Sequence, residues 1–237
     1  MTLPLPDPNA FEADQIAGWY GKLPSLGDFA QRRVKPDFIE PWDQWLAHGM
    51  AYWQTSAPET WESQYLNGAS WRFVLLPDVW PGQQQLQIGV IIPSFDSVGR
   101  RFPLTLVQQM PKWPQCKVHA AALLQWLQQL SDVGQDALER QWSVVRLEAE
   151  LQLLGPALQS FQGLDSADLD PPWNARQCGN GLLELHRASQ SDQTFDSDYI
   201  NTNSALWLGN DQRGVPVSHR FTGPPRPEHL RLLMCTA

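Results

Sequence analysis

Cysteine, basic residues and long apolar runs are all scarce in this chain of 237 residues. Its three cysteines, Cys116, Cys178 and Cys235, are too few and too far apart for a disulfide framework, which favours a reducing compartment. Lysine and arginine number 17 against 25 acidic residues, and the net charge of −8 argues against nucleic acid or an anionic membrane surface as the main partner. No apolar run approaches the ~18 residues of a membrane-spanning helix.

The first residues also lack the features of a secretory leader, because no basic segment precedes an apolar one. They are instead rich in proline, so we expect residues 1–17 to form a flexible arm and residues 18–237 to form a single domain. With neither a leader nor a membrane-spanning segment in the pattern, the sequence predicts a cytoplasmic protein.

Tryptophan, by contrast, is abundant, with 12 residues in the chain. The hydrophobic fraction of 42% is enough for a large core. One periodic segment predicts an α-helix from Asp37 to Trp53, whose apolar face consists of Phe38, Trp42, Trp45, Leu46, Gly49 and Trp53. Pro41 is compatible with this helix if it lies in the first turn. An aromatic stripe of this kind is typical of a core rather than of a cofactor site.

Short apolar runs rich in β-branched residues predict strands. Three of them, at 71–76, 86–92 and 102–109, are joined by short connections and predict an antiparallel meander. Two amphipathic helices are expected next, at 115–130 and 135–154, separated at Gly134. Later strands are predicted at 182–186, 204–208 and 215–221, and a last helix at 228–234. These elements together predict an α/β (α+β) fold.

The connection from Ser94 to Arg101 concentrates polar groups between two predicted strands. Asp96 can accept hydrogen bonds from nearby backbone N–H groups, and Gly99 can adopt a positive φ. Two interpretations are open. Either Asp96 pairs with Arg100 inside the domain and holds the turn, or the loop faces a partner. If the pair is buried, removal of one member should unfold the protein rather than only weaken binding.

The sequence shows no recognisable catalytic or metal-binding motif. The Gly21-Lys22 pair lacks the serine or threonine that a phosphate loop needs for Mg²⁺. Ser94 lacks the flanking glycines of a nucleophile elbow. Cys116 and His119 would share a helical face, but two ligands are too few for a typical zinc site. We therefore expect neither a cofactor nor a metal.

Two stretches together carry a family resemblance: GWYGKLPSLGDF at Gly18–Phe29 and PSFDSVGRRFPLTL at Pro93–Leu106. WDQWL at Trp42–Leu46 and WRFVL at Trp71–Leu75 support it. In the order and spacing of these motifs the chain resembles the TagF (ImpM) family, accessory proteins of the bacterial type VI secretion system.

The resemblance implies regulation rather than catalysis. Members of the family are post-translational repressors of type VI secretion that act by binding the forkhead-associated (Fha) scaffold protein and keeping it from supporting assembly. The family fold is a central antiparallel sheet flanked by helices, in a longin-like or profilin-like arrangement, which agrees with the elements predicted above.

Two functions therefore remain open. A protein that binds a partner would place an apolar or aromatic patch beside the 93–101 loop, and the candidate contact residues are Lys22, Ser25, Asp28, Asp96, Arg100 and Arg101. A small-molecule-binding or hydrolytic enzyme would use Asp28, Ser94 or Asp96, converging in a deep pocket with shifted pKa values. The sequence favours the first function, because no nucleophile–base pair can be named.

Overall fold

The computed structural model describes residues 16–112, 120–159, 204–210 and 216–235. The strands in these residues are β1 (Gly18–Gly21), β2 (Ala30–Arg32), β3 (Trp71–Leu75), β4 (Gln85–Ile92), β5 (Leu104–Lys112), β6 (Ser204–Asn210) and β7 (Pro216–Thr222). The helices are α1 (Pro36–Ser56), α2 (Trp61–Leu66), α3 (Ala120–Glu139), α4 (Val144–Gln159) and α5 (Pro227–Cys235). The predicted strand at 182–186 and most of the predicted N-terminal arm lie outside the described residues.

The seven strands form one antiparallel sheet in the order β2-β1-β5-β4-β3-β6-β7. The predicted α+β class with a central antiparallel sheet is therefore confirmed. The meander is confirmed as well, since β4 lies between β3 and β5, with Ile91 opposite Trp71 on one side and Thr105 on the other. Residues 86–92 of β4 are all buried, because helices cover both faces of the sheet, and this explains their nearly continuous apolar run.

Each face of the sheet has its own core. On one face α3 and α4 pack against aliphatic side chains of the central strands, among them Ile88, Val90 and Leu106. On the other face α1, α2 and α5 pack against an aromatic core, which we define as Phe38, Trp42, Trp45, Phe73, Trp80 and Trp207. Trp42 lies in the middle of it, with its ring 4.9 Å from Phe73 and 6.1 Å from Trp207 between centroids.

The predicted aromatic helix is confirmed as α1, and every residue of its predicted apolar face is buried. Pro41, however, lies inside the helix rather than in the first turn as predicted. The helix begins earlier because Pro36, whose ring fixes φ near the helical value, takes the first helical position.

The prediction that Gly134 separates two helices is wrong. α3 continues through this residue to Glu139, and the break before α4 comes at residues 140–143. A Cβ atom at Gly134 would lie 2.3 Å from Cδ1 of Ile92 and 3.1 Å from Cδ1 of Leu106. The glycine therefore allows α3 to approach the sheet closely. Among the described residues, no helix combines the length and apolarity needed to cross a membrane.

The aromatic core predicts a large effect of truncating Trp42, which is fully buried and whose indole Nε1 donates to Thr105 Oγ1 at 2.8 Å. We expect Trp42→Ala to lower the free energy of unfolding by about 4 kcal/mol in a urea titration. Tyr52 on the same helix is 43% exposed, and Tyr52→Ala should cost about 0.5 kcal/mol or less. Equal losses in the two variants would contradict this description of the core.

Candidate functional site

The strand order brings two loops to one edge of the sheet. The first loop, residues 22–29, follows β1, and the second loop, residues 93–103, joins β4 to β5. β1 and β4 lie on either side of β5 and both run antiparallel to it. Their C-terminal ends therefore point the same way, and the two loops meet where β5 begins.

Asp96 of the second loop provides the main link between the loops. Its carboxylate is fully buried, and Oδ2 lies 2.6 Å from Nζ of Lys22 in the first loop and 2.7 Å from Nε of Arg100. The other oxygen, Oδ1, accepts hydrogen bonds from the backbone N–H groups of Val98 at 3.1 Å and Arg100 at 2.9 Å. The carboxylate is thus shared between a cation of each loop and the backbone of its own turn.

These contacts decide the ionisation of Asp96. Burial by itself would raise the pKa of the Asp96 carboxyl. The hydrogen bonds from Lys22, Arg100 and the Val98 backbone outweigh the burial and hold this pKa well below its usual range. Asp96 is therefore a structural anion at neutral pH.

Further hydrogen bonds join the two loops to each other and to α2. The Ser94 hydroxyl donates to the Lys22 carbonyl at 2.7 Å, and the Ser97 N–H donates to the Leu26 carbonyl at 2.8 Å. The Tyr65 hydroxyl of α2 donates to the Ser94 carbonyl at 2.9 Å and accepts from the Ser94 N–H at 2.8 Å. Burial raises the pKa of the Tyr65 phenol. The hydroxyl therefore stays protonated and can donate its hydrogen bond to Ser94.

The six predicted contact residues differ in their exposure to solvent. Lys22 and Asp96 are buried, with 4% and 1% of their surface exposed, and they hold the loops together inside the domain. Ser25, Asp28 and Arg100 are exposed, and Arg101 is partly buried and pairs with Glu62 of α2. The predicted pairing of Asp96 with Arg100 is present, whereas contact between any of these residues and a partner stays a prediction.

The residues of the enzyme hypothesis differ in burial and do not form a nucleophile–base pair. Ser94 is buried, and its hydroxyl donates to a backbone carbonyl rather than to a base. The side chain of Asp28 is 81% exposed, whereas that of Asp96 is buried and neutralised by Lys22 and Arg100. No group of three or more potential metal-ligating side chains occurs in the part of the chain that the structure describes.

Two apolar residues of these loops were missed by the sequence analysis. Phe29 is 46% exposed and Val98 is 69% exposed. The Phe29 ring packs edge-on against Phe102, with centroids 4.8 Å apart, and lies 4.7 Å from Nζ of Lys22. In the sequence, each of these two residues is an apolar residue within a turn of small and polar residues, and this pattern could have indicated an exposed apolar side chain. We define the loop face as five of the exposed residues of the two loops: Ser25, Asp28, Phe29, Val98 and Arg100.

Comparison with known proteins identifies a family. A family model described as the TagF N-terminal domain, type VI secretion system-associated, matches residues 18–154, which include both loops. The fold is similar to the crystal structure of PA0076 from Pseudomonas aeruginosa PAO1, with a TM-score of 0.62 and 24% sequence identity over 92% of this chain and 93% of that chain. At 24% sequence identity, this structural similarity is evidence for the fold alone. A search of curated protein sequences finds no match.

The buried carboxylate predicts a stability effect of Asp96→Asn, which leaves Lys22 buried beside a neutral amide. We expect the melting temperature to fall by about 10 °C, followed by circular dichroism. Asp28→Asn is the matched control, since that side chain is exposed, and it should change the melting temperature by about 2 °C or less. An unchanged melting temperature for Asp96→Asn would contradict a structural role for this carboxylate.

The lowered pKa of Asp96 also predicts a pH dependence. Its contribution to stability is complete above the ordinary aspartate pKa of 3.8 and is lost as the pH falls through the lower pKa of the folded state. The urea midpoint of the wild type should therefore fall between about pH 5 and pH 2, and that of Asp96→Asn should fall less steeply.

Glu148 also contributes to the loss of stability at acid pH, both in the wild type and in Asp96→Asn. Burial opposes its ionisation, but hydrogen bonds from Arg33 and Trp19 lower the pKa of its carboxyl. The difference between the wild-type and Asp96→Asn curves of urea midpoint against pH therefore reports the contribution of Asp96 alone. Parallel curves would show that the pKa of Asp96 is not lowered by folding.

Proposed function

This chain belongs to the TagF family of type VI secretion system-associated proteins, and from that membership we propose that it is a post-translational negative regulator of type VI secretion. It acts by protein–protein binding, sequestering the Fha scaffold protein. The observation that carries the proposal is the loop face, an exposed surface on two loops that the contacts of the buried Asp96 carboxylate with Lys22 and Arg100 hold in place.

The composition of the loop face suits a protein partner. Phe29 and Val98 provide apolar surface, and the exposed side chains of Asp28 and Arg100 lie beside them, with Arg100 Nη2 3.8 Å from Asp28 Oδ1. Apolar residues bordered by polar ones are the usual arrangement of a protein interface, and aromatic residues often supply much of its binding energy. A mixed surface of this kind supports recognition of a folded scaffold protein.

The rigidity of the loops supports binding further. A loop that is ordered only on association loses conformational entropy, and this loss weakens the complex. Here the Ser97 N–H is already bonded to the Leu26 carbonyl, and the Arg100 guanidinium donates to the Gly27 carbonyl. Phe29 and Val98 are therefore presented on a backbone that is ordered before the partner arrives.

A pull-down tests the proposal. Purified Fha scaffold protein from the same secretion system is captured on the tagged wild-type chain, on Val98→Asp and on Leu153→Asp. Val98→Asp places a charge on the loop face and should reduce capture about tenfold. Leu153 is an equally exposed apolar residue of α4, at 72% against 69% for Val98, and Leu153→Asp should leave capture unchanged.

Both variants are first checked by thermal melting, so that lost capture reports binding rather than unfolding. No capture by the wild type would overturn the proposed partner. Equal capture by all three proteins would move the contact away from the loop face. In cells, deletion of the gene should increase secretion, and the wild type should restore repression better than Val98→Asp does.

A further inference from the structure

A cavity of about 300 Å³ lies between the N-terminal end of β3 and one face of α3. Its polar lining residues are Ser70, Arg72, Gln128, Ser131, Gln135 and Asn210. Within the residues that the structure describes, no acidic side chain lines it, and Arg72 is the charged residue of the lining, in a chain whose net charge is −8. A local positive charge inside an acidic protein suggests an anionic ligand.

Arg72 is held deep in the fold. It lies on β3, opposite Val90 of β4 and Leu208 of β6, and only 6% of its surface is exposed. Its Nη1 donates to Gln128 Oε1 at 2.6 Å. Among the described residues, no ion pair joins Arg72 to a carboxylate. A guanidinium carries five N–H donors, so Arg72 has donors left for a ligand.

The nearby acidic group acts on Arg72 indirectly. Asp132 accepts a hydrogen bond from Gln128 Nε2 at 2.8 Å, so Gln128 separates its carboxylate from the guanidinium. Burial lowers the pKa of Arg72, and the charge of Asp132 partly opposes this effect. A buried cation of this kind is stabilised by a directly bonded anion.

Hydroxyl and amide groups beside Arg72 complete a polar site. Gln135 Nε2 donates to Ser70 Oγ at 2.7 Å, and Ser131 Oγ lies 3.4 Å from the same oxygen. Ser131 is 4% exposed, whereas Gln135 lies at the exposed rim. Hydroxyl and amide donors around a guanidinium are the groups that bind phosphate and carboxylate oxygens in proteins.

We propose that this cavity binds a small oxyanion, a phosphate or a carboxylate, which pairs with Arg72 and accepts hydrogen bonds from the surrounding side chains. Arginine suits this role because its planar fork can bind two oxygens of such a group at once. The volume is sufficient for a small ligand. The site differs from the loop face and does not depend on the proposed Fha partner.

Calorimetric titration of the full chain tests the site, with inorganic phosphate and with succinate as separate probes at an ionic strength fixed by sodium chloride. At least one probe should bind the wild type. Arg72→Gln should weaken that binding about tenfold by removing the charge. Arg140→Gln is the matched control, since Arg140 is an exposed arginine just after α3, and it should bind as the wild type does.

A second variant keeps the test valid if Arg72→Gln fails to fold. Gln135→Glu places a carboxylate of the same shape at the exposed rim while Arg72 stays in place, and it should weaken anion binding about tenfold as well. Binding of phosphate alone, or of succinate alone, supports the site and identifies its anion class. No binding above the chloride control, or equal binding by the wild type and Gln135→Glu, would overturn it.

Discussion

The burial of the Asp96 carboxylate between Lys22 and Arg100 is the contact on which the loop face depends. Removing charges from water is costly, so a buried ion pair contributes little net stability unless its geometry is good and its remaining hydrogen-bonding groups are used. Asp96 meets both conditions, because its second oxygen accepts two backbone N–H groups. We infer that the pair mainly selects one arrangement of the two loops, since an arrangement that separates Lys22 from Asp96 loses this ion pair.

The sheet makes this contact possible. β5 lies between β1 and β4, so the loops that follow β1 and β4 reach the same edge although they are far apart in sequence. The aromatic core on one face and the α3–α4 layer on the other fix the strands that carry these loops. The loops therefore have a rigid base, and their exposed side chains can form a surface of fixed shape for the proposed partner.

Local pattern was sufficient to predict much of the fold. The periodicity of α1, the β3–β4–β5 meander and the pairing of Asp96 with Arg100 four residues away all follow from near neighbours in sequence. The ion pair between Lys22 and Asp96 spans 74 residues and depends on the strand order, which no local pattern contains. Gly134 was misread because its role is close packing against Ile92. The cavity beside Arg72 could not be predicted either. The residues around Arg72 have the pattern of a strand, and the cavity forms only where α3 packs against that strand.

Amide hydrogen exchange tests the central claim, that one buried carboxylate holds both loops. Peptides covering residues 22–29 and 93–103 would be compared between the wild type and Asp96→Asn, with peptides of β4 and β5 as internal references. The contacts predict slow exchange at both loops in the wild type and faster exchange at both in the variant. In the first loop the Leu26 N–H is bonded to the Leu23 carbonyl, and in the second loop the Ser97 N–H is bonded to the Leu26 carbonyl. Faster exchange in the second loop alone would show that the first loop is held by other contacts and would contradict the account.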